Sequence, residues 1–184
     1  MIEIKNNLEL RMYGLVNYQL SGTIHAGIQF GHAVVEYGKE YGHTLEYEKW
    51  SKEDKTFIIL NGGTTNLNID RHGSLNKHLA NIMSNTDIRV STFHEPDLGD
   101  QLTAFVFLVD ERVFNREDYP DFKPYLEDVV GSDVIRDCQK RVKSKNKEFI
   151  LEEYFKAEYE VWLTLIGGQR NAFLKDFLKP LKLA

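Results

Sequence analysis

One cysteine, Cys138, among 184 residues excludes an internal disulfide, so the fold must be held by its own core. Cys138 sits among Arg136, Asp137, Lys140 and Arg141 with no catalytic pattern around it, as a structural or surface thiol would. Apolar runs approaching the roughly 20 residues that cross a bilayer are missing. The opening MIEIKNNLEL also lacks the uninterrupted apolar stretch of a secretory signal, so a cytosolic chain with no membrane partner is expected. The six histidines show no HExxH, HxH or paired CxxC spacing, and no metal is expected. A basic excess is lacking too. The formal net charge of −5 works against any protein that holds a polyanion by neutralising phosphates, so RNA contact would have to rest on a local cluster. Lys140, Arg141, Lys143, Lys145 and Lys147 form one, although such a run is more often a solvated helix face.

What is present is ordinary globular material: 42% hydrophobic and 28% charged residues, with no internal repeat. Residues 10–20, LRMYGLVNYQL, are apolar without a helical stripe, as in a central strand buried on both faces. Ser21-Gly22-Thr23 breaks it and offers an N-cap, and Ile24 to about Tyr41 reads as a helix with Ile28, Val34 and Val35 toward the sheet. Residues 42–54 read as polar and irregular apart from Trp50. Residues 55–60 form a second strand, and Ser74 to Ser84 a helix with Leu75, Leu79, Ile82 and Met83 on one stripe. Ile88–Phe93 and Thr103–Val109 are two further strands, separated by a segment whose Pro96 and Gly99 exclude continuity. The order β-α-β-α-β-β predicts an α/β fold with a four-stranded mixed sheet and flanking helices. The polar junction 115–121 then introduces a helical C-terminal extension, with segments near 123–130, 132–145, 147–166 and 169–179, the last carrying Phe173, Leu174, Phe177 and Leu178 on one stripe. The expected organisation is an α/β domain over 1–112 and a helical extension over 113–184, which either packs back or supplies a homo-oligomer contact.

The first helix carries His25, Gln29 and His32 at i, i+4 and i+7, a polar row along one side. An imidazole can serve as general base near neutral pH, and an amide can donate to a carbonyl while accepting from a hydroxyl. Such a row on a helix otherwise simply faces solvent. Past the third strand, Glu95 and Asp97 stand at i and i+2, so extended geometry would send both carboxylates to one face, where either could orient an imidazole. The plain alternative is that they cap and open a turn. Gly62-Gly63-Thr64-Thr65 lacks the lysine and length of a P-loop and reads as a turn. Tyr13, Tyr18 and Phe30 could stack a base, although aromatics in this setting are more often core.

Gln29-Phe30-Gly31-His32-Ala33 resembles the Q-x-x-H-A segment on the first helix of the type-II peptidyl-tRNA hydrolases. Phe93-His94-Glu95-Pro96-Asp97-Leu98-Gly99-Asp100-Gln101-Leu102-Thr103-Ala104 looks like a variant of their connection between third and fourth strands. The likeness covers about residues 10–110, and Ile166-Gly167-Gly168-Gln169-Arg170-Asn171-Ala172-Phe173-Leu174 is similar to the ending of small phage or mobile-element relatives. The resemblance implies hydrolysis of the ester between a peptide and the terminal ribose of tRNA, without metal or organic cofactor. It implies Gln29 and His32 at the reacting water, Glu95 or Asp97 as the loop acid and Thr103 as the threonine opening the last strand. It also puts His25 where the family's helix carries a lysine, as a substrate contact; the basic residues Lys140, Arg141 and Lys143, outside the likeness, would then touch the tRNA backbone. The alternative on the same scaffold is a module that binds a nucleotide, RNA end or protein without turnover.

Overall fold

The computed structural model describes residues 7–18, 23–66, 72–143 and 149–184. Ser21 and Gly22 of the expected helix cap, and Lys145 and Lys147 of the basic run, lie outside the described residues. Two compact units emerge, Met1–Glu111 with Asp176–Ala184, and Arg112–Lys175.

The first unit is the expected α/β layer. Strands β1 (Leu10–Val16), β2 (Thr56–Asn61), β3 (Ser91–Glu95) and β4 (Gln101–Asp110) form one mixed sheet in the order β2-β1-β4-β3. β1 runs parallel to β2 and antiparallel to β4, which is also antiparallel to β3. The carboxyl ends of β1, β2 and β3 therefore share one end of the sheet with the start of β4, the end where open α/β sheets form crevices. Helix α1 (Thr23–Tyr41) covers one face.

The stripe that α1 buries differs from the hydrophobicity reading. Ala26, Phe30, Ala33 and Tyr37 line the core, whereas Ile28 and Val35 are exposed and Val34 is only partly buried. Close approach to the sheet selects small residues between two aromatic anchors, Phe30 and Tyr37. A Cβ on Gly14 of β1 would collide with two ring carbons of Phe30, so the strand's only glycine is the seat of that ring. Residues 45–54, read as irregular, form α2 (Leu45–Lys49), whose Thr44 side chain accepts from the Tyr47 N–H, and a π-helical turn Trp50–Asp54. Trp50 then packs edge-on against Phe57 at 5.4 Å.

The opposite face is covered by α3 (Ser74–Asn85), which buries Leu75 and Ile82; Met83, expected on that stripe, is exposed. β3 starts three residues later than read, because among the described residues it pairs with β4 alone and that pairing begins at Ser91↔Val106. The chain's last residues return to this unit along the outer side of β2. Asn61 N–H donates to Lys182 O at 2.9 Å and Ala184 N–H to Ile59 O at 3.0 Å, which covers an edge that would otherwise expose unpaired backbone groups.

On α3, the His78 ring meets Phe177 edge to face at 5.6 Å, and burial holds its pKa below the ordinary 6.5. A histidine whose folded pKa is depressed takes a proton more readily when unfolded. Its contribution is therefore complete above about 6.5 and falls as pH drops through that value. A lower melting temperature at pH 5.5 than at pH 7.5 is expected, with a smaller difference in His78→Gln; an equal difference in the variant would assign the effect elsewhere.

The second unit is helical. It comprises α5 (Phe122–Val130), α6 (Ser132–Lys143), α7 (Leu151–Tyr154) and α8 (Lys156–Ile166), together with most of α4 (Glu111–Phe114) and of α9 (Gln169–Leu178). Phe122 packs on Tyr159 and Trp162 at 5.0 and 5.4 Å, and Trp162 Nε1–H donates to Pro120 O at 2.9 Å. The helix read through 147–166 is interrupted at Phe155 (φ −117°, ψ 50°), and Gly167 and Gly168 at positive φ end α8 as expected. Among the described residues no helix is long and apolar enough to cross a membrane.

Candidate functional site

A β-bulge builds the site. Phe93 pairs with Ala104 but His94 pairs with Leu102, so Thr103 is the extra residue on β4. Strict alternation would send Thr103 to the face of Phe105 and Phe107, toward α3. The bulge turns it to α1 instead, where its hydroxyl donates to Gln29 Oε1 at 2.6 Å and lies 3.3 Å from Phe93 O. The displaced Thr103 carbonyl accepts from Asn17 N–H at 2.9 Å, just beyond β1.

Gln29 continues the chain of bonds by donating from Nε2 to Glu95 Oε2 at 2.6 Å. A carboxylate can only accept, which fixes the amide orientation: Nε2 toward Glu95, Oε1 toward the Thr103 hydroxyl, and the hydroxyl proton toward Gln29. Thr103 is fully buried and Gln29 is 7% exposed, so the Thr103 bond is buried and the Glu95 bond partly so, and leaving the buried amide oxygen unpaired would cost about 1–3 kcal/mol. One hydrogen on Nε2 remains for a further acceptor.

His32 lies one turn along α1 from Gln29. Its ring stacks on Phe93 at 4.5 Å and 19°, and the residue is exposed. Further along the same seam Ser91 Oγ donates to Glu40 Oε2 at 2.8 Å, so the seam runs Gln29–Glu95, His32–Phe93, Glu40–Ser91, with α1 antiparallel to β3. The carboxylate expected beside the imidazole is thus bonded to the amide, and the imidazole is positioned by an aromatic ring. Among the described residues His32 makes no hydrogen bond.

The remaining candidates fall outside this cluster. Asp97 is exposed on the 3-10 turn Pro96–Leu98 that follows Glu95, which is the turn role. His25 is exposed near the start of α1. Lys140, Arg141 and Lys143 belong to the second unit, exposed in the last turns of α6, where Lys140 pairs with Asp137 at 3.9 Å and all three oppose the negative helix end. The Gly62–Asn66 loop is tied to its neighbours, α3 above all. Gly63 N–H donates to Asn61 Oδ1, Thr64 N–H to Ser74 Oγ and Asn66 N–H to Asn76 Oδ1, which leaves few donors for a phosphate. Among the described residues no group of three or more metal-ligating side chains comes together. Sequence reasoning missed the roles of Phe93 and Asn17; an aromatic beside His94 at a strand end was the available signal for the first.

The sequence matches no known protein family, and no curated protein is significantly similar to it.

Proposed function

We propose that the chain is an esterase of the peptidyl-tRNA hydrolase kind, acting on the ester between an acyl or peptidyl group and the terminal ribose of tRNA. The observation that carries this reading is the Thr103–Gln29–Glu95 chain, which fixes an amide donor one helical turn from an exposed, ring-stacked imidazole. In the proposed step the second Nε2 hydrogen of Gln29 donates to the ester carbonyl oxygen, where negative charge develops. His32 takes a proton from water as the water oxygen bonds to the carbonyl carbon. The bond from carbonyl carbon to ribose oxygen then breaks, and the imidazolium returns the proton to that oxygen. Glu95 acts through Gln29 as a positioning residue, and Thr103 likewise.

In this reading the setting is cytosolic, His25 contributes to substrate binding when protonated, and Lys140, Arg141 and Lys143 contribute charge toward the tRNA backbone. A second reading, a binding module without turnover, draws on the bond between Glu95 and Gln29, which leaves the imidazole without an acid partner among the described residues.

The test is release of free tRNA from an N-acetyl-aminoacyl-tRNA by the purified chain. Turnover is expected, and Gln29→Leu should lower kcat by about 10²-fold with KM little changed, the loss of one donor to the developing oxyanion. Absence of release by the wild-type chain would leave only the binding reading.

A further inference from the structure

Of the three aromatic residues that could stack a base, Tyr13 and Phe30 are buried in the core, while Tyr18 is 70% exposed. It stands at the carboxyl end of β1, the sheet end that also carries Gln29, Glu95 and Thr103. Its backbone is held from both sides: Asn17 N–H donates to Thr103 O at 2.9 Å and Tyr18 N–H to Gly63 O at 2.6 Å. The phenol ring makes no ring contact among the described residues. Two more large apolar side chains are exposed at this end, Ile24 at 76% and Leu98 at 43%.

Apart from His25, the ionisable side chains on the described segments at this end are of one sign. Among described residues 17–18, 23–25, 62–66 and 95–101 there are Glu95, Asp97 and Asp100 and no lysine or arginine. A phosphate is disfavoured there, whereas an uncharged planar ring is not. A tyrosine on a fixed backbone offers such a ring a stacking face with little conformational freedom left to lose.

We propose that Tyr18 is the stacking platform for the nucleobase of the terminal nucleoside at this site, recognising the ring rather than its phosphate. The inference rests on the esterase reading for the ligand's identity, but not for the stacking itself. It deepens that reading by naming what holds the nucleoside beside the ester.

Adenosine, ribose and adenosine monophosphate are the probes, followed through the ring resonances of labelled tyrosines in the full chain. Adenosine should move the Tyr18 ring resonances saturably, ribose should not, and adenosine monophosphate should bind no tighter than adenosine. Tyr18→Ala should weaken adenosine about 5- to 100-fold, and Tyr18→Phe should restore binding to within about threefold of wild type. The adenosine affinity should hold between about 50 and about 200 mM salt, unlike a contact to phosphates. Unmoved Tyr18 resonances, or a Tyr18→Ala chain that binds adenosine as well as wild type, would overturn the proposal. Ester turnover with an unchanged KM in Tyr18→Ala would also sink it while the esterase reading stood. Adenosine stacking on Tyr18 without ester turnover would leave it standing and end the esterase reading.

Discussion

Replacing His32 with alanine is expected to slow release of tRNA from an N-acyl-aminoacyl-tRNA by about 10²–10⁴-fold, the usual worth of a positioned general base. The melting temperature should change little, because His32 is exposed and its packing is confined to one face of the ring against Phe93. That combination separates chemistry from folding. A structural histidine would give the reverse pattern, a lowered melting temperature with activity per folded molecule unchanged. His32→Gln should not rescue, since an amide can hydrogen-bond water but cannot accept its proton at neutral pH. Single-turnover measurement of the wild-type chain and both variants checks this directly.

Lys175→Met is expected to cost the helical unit about 3–5 kcal/mol. Lys175 is 1% exposed, and its ammonium donates to Tyr119 O at 2.7 Å, Arg112 O at 3.2 Å and Val113 O at 3.3 Å, with Asp121 Oδ1 at 3.7 Å. Two of those carbonyls end the short α4 and have no partner within it, and the third lies in the following loop, so one cation closes that segment onto α9. Two effects oppose each other. Methionine relieves the desolvation of a buried charge, but it leaves three carbonyls without their donor, at about 1–3 kcal/mol each. The second effect is the larger, and a fall in melting temperature of about 10 °C or more should follow. A change below about 1 kcal/mol would mean that water replaces the ammonium at little cost.

The sheet and its helices were legible because β1 and β4 are apolar at nearly every position and α3 keeps a clear stripe at Leu75 and Ile82. The face of α1 was not. Ile28 and Val35 outrank Ala26 and Ala33 in hydrophobicity, yet the space between helix and sheet admits alanine beside the Phe30 ring, a fact carried by Gly14 on another element. The return of the final residues to β2 was hidden because a single pairing at Leu60↔Leu183 leaves no alternation to read. At the site, the sequence offered Gln29, His32, Glu95 and Thr103 together, but not which acid meets which partner. That assignment depends on one extra residue in β4, and nothing in the composition of Leu102-Thr103-Ala104 marks a bulge. Asp97 followed Glu95 into the candidate set only on the assumption that the strand stayed extended, and Pro96 ended it.

The claim on which the rest depends is that His32 and the Thr103-anchored Gln29 act on the same reacting atoms. The most direct measurement is kcat for the wild-type chain, His32→Ala, Gln29→Leu and the double variant on one N-acetyl-aminoacyl-tRNA. Groups that serve one transition state are not additive, so the double variant should be little slower than His32→Ala alone. Losses that simply multiply, or a wild-type chain without turnover, would contradict a shared site.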